Sequence, residues 1–360
     1  MVLIHFDSLS LLEVAIQTII MKEILKDRKL LHYRHRLSHE QIDQLLGENR
    51  AKEFLQEKMR RMDSIKHFLE ITDILKEAGI SFVSIKGPLL SYRIYGDASV
   101  RFSHDIDLLV EADSLDVIIT LMREAHYELS EGVFWSDDKF KQDIIRQSTH
   151  HLSFFNKELE FCVEIHWTLT VNSPIHKDVT EKLLKQNLTT MNFVGRNFIV
   201  LNKEFELTYL IIHGSKHKWS RLKWLVDIKD YPVEDLNLNK WETLIKSFHA
   251  ERILGQTNHL LFHYFCKKLP IEGSKKLPAF FIKYAETSLE SPIDNTNSFH
   301  ILLRGIWYQR LLFPQLSYQW SIFKSFFSRP GDVAVHDFSS KTAYYLYRPY
   351  SFIKRRIFHV

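Results

Sequence analysis

Residues 81–110 read SFVSIKGPLLSYRIYGDASVRFSHDIDLLV, and the fold turns on the last six positions of that run. Asp105 and Asp107 stand two apart among strand-forming residues. On a strand both leave the same face, while Ile106, Leu108 and Val110 leave the other. Two carboxylates roughly 6–7 Å apart repel by roughly 2–3 kcal/mol at an effective dielectric of about 20. Such a pair is expected to hold a cation, and Mg2+, with its demand for oxygen ligands, fits best. Upstream, residues 80–85 read as a short buried strand entering Lys86-Gly87-Pro88, then a helix over 89–95 closed by Gly96. Gly87 lets backbone approach a ligand, Pro88 suits a first helical position, and the helix start offers amide hydrogens to a phosphate. Lys86 adds a point charge.

On either side of this stretch the periodicity is mostly helical. Apolar residues at spacings of three and four predict helices over 8–26 and 38–46. A longer helix over 51–78 carries Leu55, Met59, Met62, Ile65, Leu69 and Leu75 on one stripe and ends at Gly79. Beyond Val110 a helix over 113–125 and a short strand within 127–134 give a βαβ rhythm, and the polar segment 136–146 reads as loop or irregular helix. Residues 151–155 and 159–167 predict antiparallel strands joined by a tight turn at Asn156-Lys157. In the second strand Phe161, Val163, Ile165 and Trp167 share one face, and Cys162, Glu164 and His166 the other. A small hairpin follows over 193–201. From Asn202, a plausible cap with Glu204 and Glu206 in the first turn, the chain turns helical through 241–266 and 280–289.

The run Lys86-Gly87, then Arg101, then Asp105-Ile-Asp-Leu-Leu-Val110, resembles nucleotidyltransferases of the polymerase-beta superfamily, in particular an uncharacterised bacterial branch. Glu164 within Val163-Glu164-Ile165-His166-Trp167, and residues 213–219 with Leu222, Trp224 and Asp227, resemble further runs of that branch. The likeness spans most of 50–350 and is tight at 86–110, 163–169 and 212–227. It implies an α+β fold: a helical lead-in over 1–78, a small mixed-sheet nucleotidyltransferase core over 79–201, and a helical C-terminal domain over 202–360. It also implies transfer of a nucleoside monophosphate from an NTP to a hydroxyl acceptor with release of pyrophosphate. Asp105 and Asp107 would bridge two Mg2+ ions, with Glu164 as the third carboxylate. Lys86, Gly87, Arg101 and Ser103 would face the triphosphate. One departure is Gly87-Pro88, where the superfamily usually has Gly-Ser or Gly-Gly; the proline removes an amide donor and any hydroxyl.

Plainer readings stand beside these. Lys86 and Arg101 could each pair with an acidic neighbour, and His166 could hold Glu164 by a hydrogen bond. His213 and His217, four apart on a helix, have a zinc-capable spacing but lack the glutamate of a metalloprotease, so packing or substrate contact is expected. The aromatic and basic stretch 298–327, with Trp307, Tyr308, Phe313, Tyr318, Trp320, Phe323 and Phe326, reads as a buried helical face. Together with Lys354-Arg355-Arg356 it is also a surface for a membrane or partner.

The remaining composition sets bounds. A chain of 360 residues with 45% hydrophobic content can bury a large core. A net charge of +4 is too small to argue for nucleic acid. Two cysteines, Cys162 and Cys266, make no disulfide framework and are expected to pack in the core of a cytoplasmic protein. No apolar run reaches transmembrane length, and the N-terminal segment lacks the marks of a signal peptide. A catalytically silent relative that keeps the core as a binding or scaffolding module is the alternative function.

Overall fold

The computed structural model describes residues 27–103, 105–291, 299–326, 330–338 and 340–358, so the helix expected over 8–26 lies outside the described residues. The fold is α+β. In chain order the longer helices are α1 His39–Leu46, α2 Leu55–Glu77, α3 Pro88–Tyr95, α4 Leu115–Glu124, α5 Lys139–Ser148, α6 Lys177–Gln186, α7 Lys203–Lys216 and α8 Leu222–Lys229. They continue with α9 Leu238–Ser247, α10 Glu251–Phe265, α11 Ala279–Glu290, α12 Phe299–Leu312, α13 Leu316–Phe326, α14 Pro330–Val335 and α15 Lys341–Phe358. The strands are β1 Phe82–Ser84, β2 Asp105–Val110, β3 Glu128–Leu129, β4 His151–Asn156, β5 Phe161–His166, β6 Leu188–Phe193 and β7 Arg196–Leu201.

Two units make up the chain. One contains Met1–Gln56, Val100–Phe102 and Leu207–Tyr308; the other contains Glu57–Ser99, Ser103–Glu206 and Gln309–Val360. The second unit holds a 7-stranded mixed sheet in the order β3-β4-β5-β2-β1-β7-β6. β2 runs antiparallel to β1 and parallel to β5, which runs antiparallel to β4. The face that carries Ile106, Leu108, Val163 and Ile165, each at most 1 % exposed, packs with Phe68, Ile71 and Leu75 of α2 in one core. Buried at 6 % and 4 %, the side chains of Arg93 on α3 and Glu206 form an ion pair of 2.6 Å, and Arg93 also donates to the Leu201 carbonyl at the end of β7. The predicted cap is present: the Phe205 amide donates to Asn202 Oδ1 at 3.0 Å.

Several expectations need correcting. Leu55, Met59 and Met62 are exposed, at 61%, 58% and 57%, so only the C-terminal half of the apolar stripe on α2 enters the core. Segment 136–146 is largely helix, α5, capped by Asp138. β3 shrinks to two residues and pairs with β4, so β2, α4 and β3 are not a βαβ unit of neighbouring strands. The hairpin of β4 and β5 has no two-residue turn. Asn156 pairs with Phe161, and its Oδ1 accepts from the amides of Glu158 and Leu159, a side-chain-stabilised turn across the four residues between. Cys266 is exposed at the left-handed end of α10, not in a core. In the aromatic stretch Tyr308, Phe313 and Tyr318 are buried, whereas Trp307, Trp320 and Phe323 are half exposed. The side chains of Phe326, Phe327, Arg355 and Arg356 lie outside the described residues.

The first unit is built on buried polar anchors among large aromatics. Gln256, fully buried on α10, accepts from Trp219 Nε1 at 2.9 Å and Tyr308 OH at 3.0 Å, and donates to the Phe281 carbonyl at 2.7 Å. Gly214 leaves room for the Trp219 ring; a Cβ there would meet a ring carbon at 2.5 Å. The Val100–Phe102 segment joins this unit through Arg101, whose Nε donates to both oxygens of Asp227 on α8 at 2.9 and 3.0 Å, with side chains 3% and 1% exposed. Removing one member of a buried pair leaves the other charge uncompensated. We expect Asp227→Ala to cost about 3–5 kcal/mol, measured as a drop in chemical-denaturation stability. A cost below about 1 kcal/mol would contradict the pairing.

Candidate active site

Strand geometry brings Asp107, Glu164 and His166 of the second unit together, while Asp105 stands two residues along the same face, outside that donor group. Parallel pairing of β2 with β5 sets Asp107 opposite Glu164 and Asp105 opposite Cys162, and paired residues project from the same face. A carboxylate oxygen of Asp107, one of Glu164 and a ring nitrogen of His166 all lie within 4.8 Å of one another. Asp107 is 2% exposed. Its Oδ1 accepts from His166 Nε2 at 3.0 Å and from Lys86 Nζ at 3.3 Å. His166 Nε2 also lies 3.3 Å from Glu164 Oε2. The repulsion between carboxylates is therefore offset by the Lys86 ammonium and by the His166 imidazole between them.

Proton affinities follow from these contacts. Burial alone would push the His166 pKa down, but its bonds to Asp107 and Glu164 hold it above the usual value. Burial would raise Glu164, but the hydrogen bond from His166, together with the charges of His151 and His166, keeps the carboxyl below its usual range. His151 on β4, opposite His166, has its pKa lowered chiefly by burial. Cys162, beside three acids on the same face, is pushed up to about 12, by burial first and then by Glu164, Asp105 and Asp107.

The turn before α3 matches its sequence. Gly87 has φ 74° and ψ −144°, a conformation that L side chains rarely adopt, and Pro88 is the first residue of the helix. Ser103 Oγ donates to the Asp105 carbonyl at 2.9 Å and lies 3.5 Å from Asp105 Oδ1, so it braces the start of β2. Arg101 is bonded to Asp227 in the first unit, the plainer of its two readings. His213 and His217 also belong to the first unit. Their rings lie 4.4 Å apart, and that of His217 is 4.9 Å from Trp224, a packing arrangement.

A family model described as uncharacterised nucleotidyltransferase matches residues 29–266. The chain belongs to this family. No curated protein matches it in sequence. Among solved structures it is similar to the lincomycin-bound lincosamide antibiotic adenylyltransferase LnuA, at 15% identity and a TM-score of 0.28, over 40% of this chain and 83% of that one. It is also similar to an antigenic nucleotidyltransferase-like protein from Paracoccidioides brasiliensis, at 14% identity and a TM-score of 0.30, over 56% and 91% of the two chains. No helix among the described residues is long and apolar enough to cross a membrane.

The donor set suits the divalent ion that the family implies. Two ligands on opposite sides of one such ion are about 4–5 Å apart, and Asp107 and Glu164 supply carboxylate oxygens within that span. Two further residues on this side of the sheet, His150 and His151, were not singled out from the sequence. Their ring nitrogens and one of His166 also lie within 4.8 Å of one another. The signal for them was the pairing of His151 with His166, which a two-residue turn would have shifted.

The two cysteines report on this surface. A thiol held near 12 yields little thiolate, so we expect Ellman's reagent at mildly alkaline pH to modify exposed Cys266 promptly and Cys162 only after denaturation. Prompt reaction of both would contradict the raised proton affinity of Cys162.

Proposed function

We propose that the chain transfers a nucleoside monophosphate from an NTP to a hydroxyl-bearing acceptor, releasing pyrophosphate. The observation that carries this reading is the juxtaposition of Asp107 and Glu164 on adjacent parallel strands, bridged by one imidazole nitrogen. Asp105, Asp107 and Glu164 are the residues that would hold Mg2+. When bound, the metal supplies charge neutralisation at the phosphoryl oxygens and lowers the pKa of the attacking hydroxyl.

The chain's own groups divide the rest of the work. Glu164, kept ionised by His166, serves as a ligand and not as an acid. His166 fixes both carboxylates in one orientation, so they need no reorganisation on binding. Lys86, with its side chain 12% exposed, borders the Gly87 turn and presents its ammonium to a polyphosphate. Gly87 gives backbone access there, and the second and third residues of α3 contribute amide hydrogens that have no partner four residues back. Pro88 contributes none. Arg101, committed to Asp227, is left out of the triphosphate grip.

The competing reading is a binding module that has lost catalysis. It is favoured by Lys86 and His166 jointly satisfying Asp107, and by Pro88 in place of an amide donor. Calorimetry with ATP, GTP, CTP and UTP, with and without Mg2+, separates the two. We expect Mg2+-dependent binding of at least one NTP. With that NTP labelled at the α-phosphate and a metabolite and protein extract as acceptor source, label should move to an acceptor, and Asp107→Asn should slow this about a hundredfold or more. Failure of every NTP to bind with Mg2+ present would leave the binding-module reading standing.

A further inference from the structure

His150, His151 and His166 form a second donor cluster beside the carboxylates, and its chemistry differs. Residue 150 lies in the bend before β4, so its ring can sit beside that of its neighbour instead of on the opposite face: the His150 and His151 rings are 4.5 Å apart at 84°. The His166 ring is 5.4 Å from the first and 4.9 Å from the second.

One of the three rings is hydrogen-bonded to the acids, and a second is turned toward them without a bond. His166 directs Nε2 to Asp107 and Glu164, while its Nδ1 is buried with no hydrogen-bond partner among the described residues. His151 directs Nε2 toward Glu164 Oε1 at 3.7 Å, and its Nδ1 is likewise buried and unpartnered. His166 is 3% exposed, so bulk solvent does not reach this nitrogen. An imidazole that gives one N–H to a carboxylate and keeps the other nitrogen bare is the arrangement of a metal-ligating histidine with its supporting carboxylate.

We propose that His150, His151 and His166 bind a transition-metal ion of the Zn2+ class, a nitrogen site adjoining the oxygen site of Asp105, Asp107 and Glu164 and coupled to it through His166. Three imidazoles with one open position suit Zn2+ or Co2+ and not Mg2+. Asp107 and Glu164 would act as positioning residues for this ion, holding His166 with Nδ1 toward it.

The test uses the full chain stripped of metal with a chelator and titrated with Co2+, in the absence of nucleotide. The expected result is the intense visible absorption of tetrahedral Co2+, bleached by Zn2+. It should be lost in His150→Ala and in His151→Ala, retained in Asp105→Asn, and formed with about 10–100-fold weaker affinity in Asp107→Asn. Circular dichroism confirms that each variant folds, with His150→Gln and His151→Gln as second variants. Absence of the band in the parent chain overturns the proposal, as does its survival in the histidine variants or its loss in Asp105→Asn. Mg2+-dependent NTP binding is scored separately. A chain that shows the cobalt band but binds no NTP keeps this site and loses the nucleotidyl-transfer reading; the converse result does the opposite.

Discussion

A carboxylate cannot be buried to 2% exposure while ionised unless cationic or hydrogen-bonding partners are buried with it, and Asp107 sets this condition for the second unit. Lys86 must come from the end of β1 and His166 from the end of β5, so both neighbours of β2 are bound to it by charge as well as by backbone. The opposite face of β2 and β5 is apolar, with Ile106, Leu108, Val163 and Ile165 in one core with α2. A slip of one residue between β2 and β5 would send Asp107 into that core and Ile106 into the charged cluster. The register that builds the site is therefore also the one the hydrophobic effect enforces.

Much of this was legible because it is local. The Asp-Ile-Asp-Leu-Leu-Val alternation fixes which side chains share a face, Gly87 and Pro88 fix the turn and the helix start, and Asn202 marks a cap immediately after the last strand ends. The same alternation placed Glu164 and His166 on one face of β5. Pattern reading works where the period of two, or one capping side chain, decides the outcome.

What was not legible depends on partners far away in sequence or on a single side chain's choice. The resemblance assigns Arg101 to the triphosphate, and the carboxylate it pairs with, Asp227, stands 126 positions on, beyond the reach of any local pattern. The turn after β4 was misjudged because Asn156 folds its side chain over two amides and lengthens the connection, which changes every cross-strand partner and hides His151. Leu55, Met59 and Met62 continue an apolar stripe that the core does not reach, since periodicity reports which residues share a face and not whether anything covers it.

The charge on His166 is the point at which these observations meet. Asp105, Asp107 and Glu164 against Lys86 leave two formal negative charges, which a single divalent ion cancels. Protonated His166 removes one of them and competes for the same oxygens; neutral His166, donating through Nε2, removes none and still orients both carboxylates. Whatever holds a proton off Nδ1 of this residue strengthens the hold of the carboxylates on a cation, and whatever adds one weakens it. Because one ring nitrogen of His166 lies within 4.8 Å of the acids' oxygens and one within 4.8 Å of the other two histidines' ring nitrogens, the imidazole belongs to both donor sets, and a change of charge on it is felt by each.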